Sequence, residues 1–202
     1  MSTKVTGELI KLLRDQTGAG MMVCKEALNQ SSGNIEQAVE YLRKKGLASA
    51  EKKQSRLAKD GAIVSYIHNG SKIGVLLEIN CETDFVARRE EFQQFAHDIA
   101  LQVVASPGVE YISLSDIPRA IIEKEVKIEL EKEDIKSKPP EIKSKIVQGR
   151  VYKTLTSFVL LNQMYIKDNS ITIDELLKRN ITLMGENIRI ARFVKFILGE
   201  KI

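Results

Sequence analysis

Two carboxylate side chains, Glu82 and Asp84, lie two residues apart near the middle of the chain. A carboxylate pair can perform general acid–base catalysis when its surroundings tune the pKa of one member. No other pocket-forming motif accompanies this pair, and Thr83 between them is a residue that commonly begins helices. We therefore interpret Glu82 and Asp84 as helix-capping groups or partner contacts, and we do not expect an enzyme.

Four side chains of the kinds that bind zinc are present: Cys24, His68, Cys81 and His97. Their spacing matches no compact zinc motif, and two cysteines are too few for a secreted disulfide framework. Cys81 also falls on a strand face that the pattern predicts to be buried. No Ser/His/Asp spacing for hydrolysis is present. We expect neither a metal site nor another cofactor.

The glycine-rich segment Gly18–Ala19–Gly20 invites comparison with phosphate-binding loops. It follows a predicted helix rather than a strand, and Val23 stands where the dinucleotide fingerprint needs its third glycine. No Gly-Lys-Ser/Thr sequence is present either. A tight turn is the better interpretation, so no direct nucleotide binding is expected.

A basic run between positions 43 and 59 could follow a phosphate backbone, which makes an RNA- or ribosome-binding protein the alternative function. The run consists of Arg43, Lys44, Lys45, Lys52, Lys53, Arg56 and Lys59. It lacks the interleaved aromatics on which single-stranded bases stack. The net charge of +4 is also too small to indicate nucleic acid. We interpret the run as a solvated linker face and expect no nucleic-acid binding. No apolar segment of membrane-spanning length is present, so no membrane binding is expected.

The elements around the carboxylates predict a strand that turns into a helix. Apolar residues alternate over 73–81, the alternation stops at Glu82, and a helical apolar pattern follows over 92–103. Asp84 and Phe85 therefore lie at a strand-to-helix corner, where a rigid frame can present a side chain to a partner. The spacing also allows Phe85 to be a core residue on the helical stripe. The pattern alone leaves both interpretations open.

Three short helices are predicted before position 47, and a module of this kind resembles the ubiquitin-associated fold, which implies nothing about ubiquitin. The expected boundaries are a cap at Thr6, a break over Thr17–Gly20, a second helix over about Met22–Asn29, a start at Asn34 and an end at Gly46. Met21 and Met22 are expected in a short loop. At least one of these two side chains should be exposed, because a small helical core cannot hold both.

The remainder predicts a three-stranded antiparallel sheet packed with helices, so the fold class is α+β. Asn69–Gly70 is expected as a two-residue hairpin turn in which both residues take positive φ. Further expected elements are helices over about 90–104 and 117–135, one from Pro140 towards Leu161, a last helix capped by Asp174, and a third strand over 187–198. The expected domains are a helical module (1–47), a basic linker (48–59) and an α+β core domain (60–202).

Two sequence motifs resemble the elongation factor Ts family. Residues 78–88 read EINCETDFVAR and resemble its T-D-F-V signature, and residues 13–28 read LRDQTGAGMMVCKEAL and resemble its N-terminal signature. The resemblance continues through Met184–Ile188 and covers nearly the whole chain. The departures are Val23, where the family often has Asp, and Asn162 and Met164, where Glu and Pro are usual. The first weakens any polar contact at position 23.

The resemblance implies a guanine-nucleotide exchange factor for elongation factor Tu, the GTPase that delivers aminoacyl-tRNA. It implies that Asp84 and Phe85 enter the GTPase near its magnesium and phosphate site and that the helical module docks on the same domain. By matching positions, the contact residues are Thr83, Asp84, Phe85 and Val86 in the corner, and Lys11, Arg14, Met21 and Met22 in the module.

The chain is similar to short members of the family, which implies a homodimer, and the edge of the three-stranded sheet is the expected interface. A helical pattern that begins near the first residue leaves no room for a transit peptide. The expected location is therefore the cytoplasm of a bacterium, or the plastid stroma if the gene is plastid-encoded.

Overall fold

The structure, a computed structural model, describes residues 5–200. The helices are α1 (Gly7–Thr17), α2 (Met21–Gln30), α3 (Ile35–Lys53), α4 (Asp84–Ala87), α5 (Glu90–Ala105), α6 (Arg119–Glu131), α7 (Glu133–Lys136), α8 (Pro140–Ser157) and α9 (Ile173–Met184). The strands are β1 (Asp60–Ile67), β2 (Ile73–Cys81), β3 (Met164–Tyr165), β4 (Asp168–Thr172) and β5 (Arg189–Ile197). The mixture of helices with an antiparallel sheet in the order β1-β2-β5 confirms the α+β prediction.

The chain divides into two compact units. The first contains the chain up to Ala62 with Ile79–Phe95 and Glu175–Arg189, and the second contains Ile63–Glu78, Ala96–Asp174 and the chain from Ile190 onward. The domain boundaries expected from the sequence remain a prediction, and their outermost residues, 1–4 and 201–202, lie outside the described part of the chain. None of the described helices combines the length and the apolar character needed to cross a bilayer.

Helices α1–α3 enclose a small apolar core in the first unit. The Thr6 hydroxyl accepts a hydrogen bond from the Leu9 N–H (3.3 Å), and the Asn34 side chain accepts one from the Gln37 N–H (3.0 Å), so both predicted caps are confirmed. Gly18, with φ +67°, ends α1 as expected. The buried side chains of this core are Leu13, Cys24, Ala27, Leu28 and Ala38.

Gly46 does not end α3, which continues to Lys53, so the predicted boundary is wrong. A Cβ atom at position 46 would lie 3.3 Å from the Thr182 side chain of α9, and the Thr182 hydroxyl donates to the Gly46 carbonyl (2.9 Å). The glycine therefore allows a close approach of two helices rather than a stop. Met21 and Met22 form the first turn of α2 and not a loop, which corrects a second expectation.

The hairpin between β1 and β2 has a longer connection and a different backbone conformation than the predicted two-residue turn. Five residues connect the strands, and positive φ is found at Gly70 (88°) and Ser71 (53°) rather than at Asn69 and Gly70. The His68 N–H donates to the Ile73 carbonyl and the Ser71 N–H donates to the His68 carbonyl, both at 2.9 Å. The second of these bonds closes a tight turn whose central residues are Asn69 and Gly70, so the predicted position of the turn is confirmed, whereas positive φ at Asn69 is wrong.

Helices α6–α8 form a separate apolar cluster in the second unit. Pro140 begins α8 as predicted, but the single helix expected over 117–135 is interrupted at Lys132, whose backbone is extended, and Ile135 beyond the interruption is fully buried. Helix α8 ends at Ser157, and the Gln163 side-chain amide donates to the last two carbonyls of the helix and to one carbonyl beyond it. The buried members of the cluster are Ile117, Ile135, Val147, Val151, Leu155 and Val159.

Two smaller differences concern the last third of the chain. The hairpin β3–β4 was not predicted, because strands of two and five residues give too little alternation to recognise. Helix α9 begins at Ile173, so Asp174 lies inside its first turn and is not the expected cap. The predicted third strand is confirmed as β5.

Candidate functional site

Phe85 is an exposed aromatic side chain on the short helix α4, and 80% of its surface is accessible. Thr83 is the N-cap of this helix, and its hydroxyl accepts a hydrogen bond from the Val86 N–H (3.4 Å). Val86 and Ala87 are buried and anchor the opposite side of the turn. The interpretation of Phe85 as a core residue is therefore wrong. Only exposed positions of α4 can meet a partner without rearrangement.

The corner before α4 is held by Glu186, which follows α9. One Glu186 carboxylate oxygen accepts hydrogen bonds from the backbone N–H groups of Glu82 and Thr83, both at 3.0 Å. The other oxygen accepts one from the Thr83 hydroxyl at 2.7 Å. In the sequence, Glu186 lies within Met184–Ile188, a segment that resembles the family, and no local pattern there indicates a role for it. The glycine before it, Gly185, is typical of a helix end and takes positive φ, but it does not indicate which residue Glu186 contacts.

Glu82 and Asp84 do not form a carboxylate pair that shares one site. Glu82 accepts a hydrogen bond from the Asn187 N–H (2.6 Å) and lies 3.5 Å from the Arg56 guanidinium, whereas Asp84 forms an ion pair with Arg88 (2.8 Å). A cleft of about 600 Å³ is present in the same unit, but its walls come from α1–α3 and α9 and include neither carboxylate. This arrangement gives acid–base chemistry at the corner no support.

Cys81 is fully buried at the end of β2, and its thiol donates a hydrogen bond to the Thr83 carbonyl (3.1 Å). Burial, together with the negative charges of Glu186 and Asp60, raises the pKa of the Cys81 thiol to about 11. The thiol therefore stays protonated at neutral pH and keeps its hydrogen bond to the Thr83 carbonyl at the corner. Among residues 5–200, no cluster of three or more His, Cys, Asp or Glu side chains is arranged to hold a metal ion.

The predicted contact residues of the helical module are exposed. Met21 and Met22 are 46% and 75% accessible at the start of α2, and Lys11 and Arg14 lie three residues apart on α1 with exposed side chains. The predicted site residues thus fall into two groups, one on α1 and α2 and one at the start of α4.

The basic run is partly neutralised by acidic side chains of the same unit. Arg43 pairs with Glu175 (2.8 Å), Lys44 with Glu40 (2.7 Å) and Lys45 with Glu26 (2.5 Å). Cations that are already paired attract a phosphate backbone less strongly than free ones. The pairing of these three cations therefore does not favour the RNA-binding alternative.

Comparison with known proteins gives consistent matches along the chain. A family model described as elongation factor TS matches residues 23–200. The chain is 58% identical over 200 residues to the chloroplastic elongation factor Ts of Rhodomonas salina, covering 99% of this chain and 91% of that protein. It is 57% identical over 198 residues to the corresponding protein of Galdieria sulphuraria, with 98% and 100% covered. Identity to elongation factor Ts of Prochlorococcus marinus (strain MIT 9312) is 54% over 198 residues, with 98% and 91% covered.

Proposed function

Because the chain belongs to the elongation factor Ts family, whose members act as nucleotide exchange factors for elongation factor Tu, we propose that it binds the GDP complex of this GTPase and promotes GDP release. The observation that carries the mechanism is Phe85, a large apolar ring exposed on a turn whose other side is buried. Exposed aromatics on a fixed frame are typical anchors of protein–protein contacts.

In the proposed mechanism, the Phe85 ring inserts into an apolar crevice of the GTPase near the magnesium and phosphate site. Burying one Phe side chain contributes about 1.5–3 kcal/mol. If the crevice is open only when the magnesium site is distorted, this energy favours the distorted state and weakens GDP binding. The coupling is reciprocal, so bound GDP weakens the grip of the exchange factor by the same factor. No proton transfer or covalent step is needed.

The other predicted contact residues have supporting roles in this proposal. Asp84 binds polar groups at the rim of the crevice, and Thr83 and Val86 hold the turn that carries the ring. The exposed methionines Met21 and Met22 suit an adaptable docking surface because the thioether side chain is flexible and polarisable. The cations of Lys11 and Arg14 add positive charge to that surface. In this proposal the helical module and the corner contact the same GTPase molecule.

The proposal includes a homodimer formed through the outer face of the sheet. We define this outer face by five exposed apolar side chains on β1, β2 and β5: Ile63, Ile67, Leu76, Val194 and Phe196. Strand alternation places them opposite the side chains that pack under the sheet. Several exposed apolar side chains on one face are typical of protein interfaces, and the Glu78–Arg192 ion pair (2.7 Å) lies on the same face. A second copy of this face is therefore the proposed partner. The face supports this interface better than the sheet edge that was expected.

The proposed location is the bacterial cytoplasm or the plastid stroma. The relatives described above include proteins named as chloroplastic and a protein from Prochlorococcus, which is consistent with either compartment.

The function is tested by fluorescent GDP release from purified elongation factor Tu, with and without this chain. We expect the release rate to rise with the concentration of the chain and to reach a plateau. A release rate that does not change at any concentration of the chain would contradict the exchange function. A gel shift with RNA at physiological ionic strength, run in parallel, is expected to show no complex.

A further inference from the structure

We propose that Glu186 is a positioning residue for nucleotide exchange: its carboxylate fixes the Thr83–Asp84–Phe85 corner in the orientation that enters the GTPase. This inference rests on the function proposed above and adds a residue that lies 101 positions beyond Phe85 in the chain.

The Glu186 carboxylate replaces backbone partners that the sheet no longer supplies. Strand β2 ends at Cys81, so the N–H groups of Glu82 and Thr83 lie just beyond its ladder. Backbone donors need partners, and the charged Glu186 oxygen accepts both at 3.0 Å. The direction of the chain as it leaves the strand is therefore set by a side chain from a distant loop.

The loop that carries Glu186 is itself held in place. Gly185, at φ +80°, ends α9 with its N–H donating to the Ile181 carbonyl (3.0 Å). The Asn187 side chain is buried and donates to the carbonyls of Gln54 (3.3 Å) and Arg56 (2.6 Å). Because the loop is fixed on both sides of Glu186, its carboxylate can act as a rigid support.

The two segments also exchange hydrogen bonds reciprocally. Glu186 accepts from the backbone of Glu82, and the Glu82 carboxylate accepts from the backbone of Asn187 (2.6 Å). On the corner side, the Thr83 hydroxyl donates to Glu186 and accepts from the Val86 N–H. Glu186 thus orients the hydroxyl that caps α4, the turn on which Phe85 stands.

Loss of this support should lower the fraction of molecules whose corner is ready to bind. Apparent affinity falls in proportion to that fraction, whereas the bound complex still contains the Phe85 ring. We therefore expect Glu186→Ala to raise the concentration of the chain that gives half-maximal GDP release by about tenfold, with the plateau rate nearly unchanged. Phe85→Ala should instead lower the plateau.

The experiment titrates each variant into elongation factor Tu loaded with fluorescent GDP, after circular dichroism has established that the variant is folded. Glu186→Gln keeps one acceptor oxygen for the two backbone donors and should raise the half-maximal concentration by only about threefold. The matched control is Glu131→Ala, which removes an exposed carboxylate at the end of α6 and should behave like the unmodified chain. If Glu186→Ala does not fold, an unchanged half-maximal concentration for Glu186→Gln overturns the inference.

A double-mutant cycle separates positioning from a general structural effect. If Glu186 acts through the corner, Glu186→Ala should raise the half-maximal concentration much less in a chain that already carries Phe85→Ala than in the unmodified chain. The same fold increase of the half-maximal concentration in both chains would overturn the positioning role. An unmodified chain that fails to speed GDP release contradicts the proposed function itself. An active chain whose Glu186 variants titrate normally contradicts the inference on Glu186 alone.

Discussion

Two regions of the molecule expose apolar side chains to solvent in different ways. The corner exposes one ring, Phe85, on a short helix held by Thr83 and Glu186. The outer face of the sheet exposes apolar side chains from three strands, including Ile63 (72% accessible) and Phe196 (60%), and it is built on regular strand pairing.

The difference between the two regions indicates two kinds of partner. A single anchor contributes a few kcal/mol and can be released in each exchange cycle. A broad apolar face is costly to leave in water and suits a partner that stays bound. We therefore expect substitutions at the corner to affect exchange but not self-association, and substitutions on the outer face to do the reverse.

The largest expected effect is on self-association. Phe196→Asp places a charge in the proposed interface, and two-fold symmetry places a second charge opposite or nearby. We expect the dimer to weaken by about 10³-fold, so that light scattering reports single chains at micromolar concentration. Tyr152→Asp, which changes an exposed aromatic on α8, is the matched control and should leave the dimer intact. A Phe196→Asp chain that remains dimeric would show that the interface lies elsewhere.

The next effect concerns the thiol under the corner. Raising the pKa of Cys81 from 9.0 to about 11 lowers its thiolate fraction at neutral pH about a hundredfold, so iodoacetamide should react slowly with the folded chain. The test uses Cys24→Ala, which leaves Cys81 as the single thiol. The alkylation rate should rise with pH up to about 11. At neutral pH, Cys81 should react as fast as an ordinary thiol only when the chain is unfolded in denaturant. Fast alkylation of the native chain would contradict the burial of Cys81.

Ionisation of Cys81 also has a direction for stability. Its pKa is higher in the folded than in the unfolded chain, so its contribution is unchanged below about pH 9. As the pH rises from about 9 to about 11, the unfolded chain loses this proton first, and the free energy of unfolding falls. Compared with Cys24→Ala alone, the same chain with Cys81→Ala should lose this part of the pH dependence in urea unfolding.

A smaller effect is expected at the cap of α4. Thr83→Val keeps the shape of the side chain but removes the hydroxyl that accepts from Val86 and donates to Glu186. We expect the free energy of unfolding to fall by about 1 kcal/mol, measured by urea denaturation, with the dimer unchanged. Thr156→Val, which removes a hydroxyl within α8, is the control and should cost less. An equal loss at both positions would mean that the Thr83 cap has no special role.

The smallest effect is expected at Arg88, whose ion pair with Asp84 joins two largely exposed side chains. Such pairs contribute about 0–1 kcal/mol, and salt screens them. Arg88→Ala should therefore change the free energy of unfolding by less than about 0.5 kcal/mol, with no difference left at high salt. A larger loss that persists in salt would place Arg88 in the frame of the corner.

The sequence predicted those parts of the corner that depend on neighbouring residues. Alternation identified β2, and Thr83 was recognised as a candidate cap. The sequence alone does not determine whether Phe85 is exposed, because its spacing of seven residues from Phe92 is equally compatible with a buried helical stripe. The contact between Glu186 and Thr83 joins residues 103 positions apart and leaves no local pattern.

Two glycines show the same limit in the fold. Gly18 and Gly46 both stand near the end of a helical apolar pattern, but only Gly18 takes positive φ and ends its helix. The partner of Gly46 is Thr182, 136 residues further along the chain. Helix ends decided by local backbone geometry were therefore predictable, whereas those decided by distant packing were not.

The most direct test of the central claim compares the plateau rate of GDP release at saturating concentrations of the unmodified chain and of Phe85→Ala. Losing the burial of this ring in the complex with the GTPase should lower the plateau by about 10–100-fold, with folding and the dimer unchanged. Tyr152→Ala, which removes another exposed aromatic, should keep the full rate. A Phe85→Ala chain that releases GDP as fast as the unmodified chain would contradict the claim that this ring loosens the nucleotide.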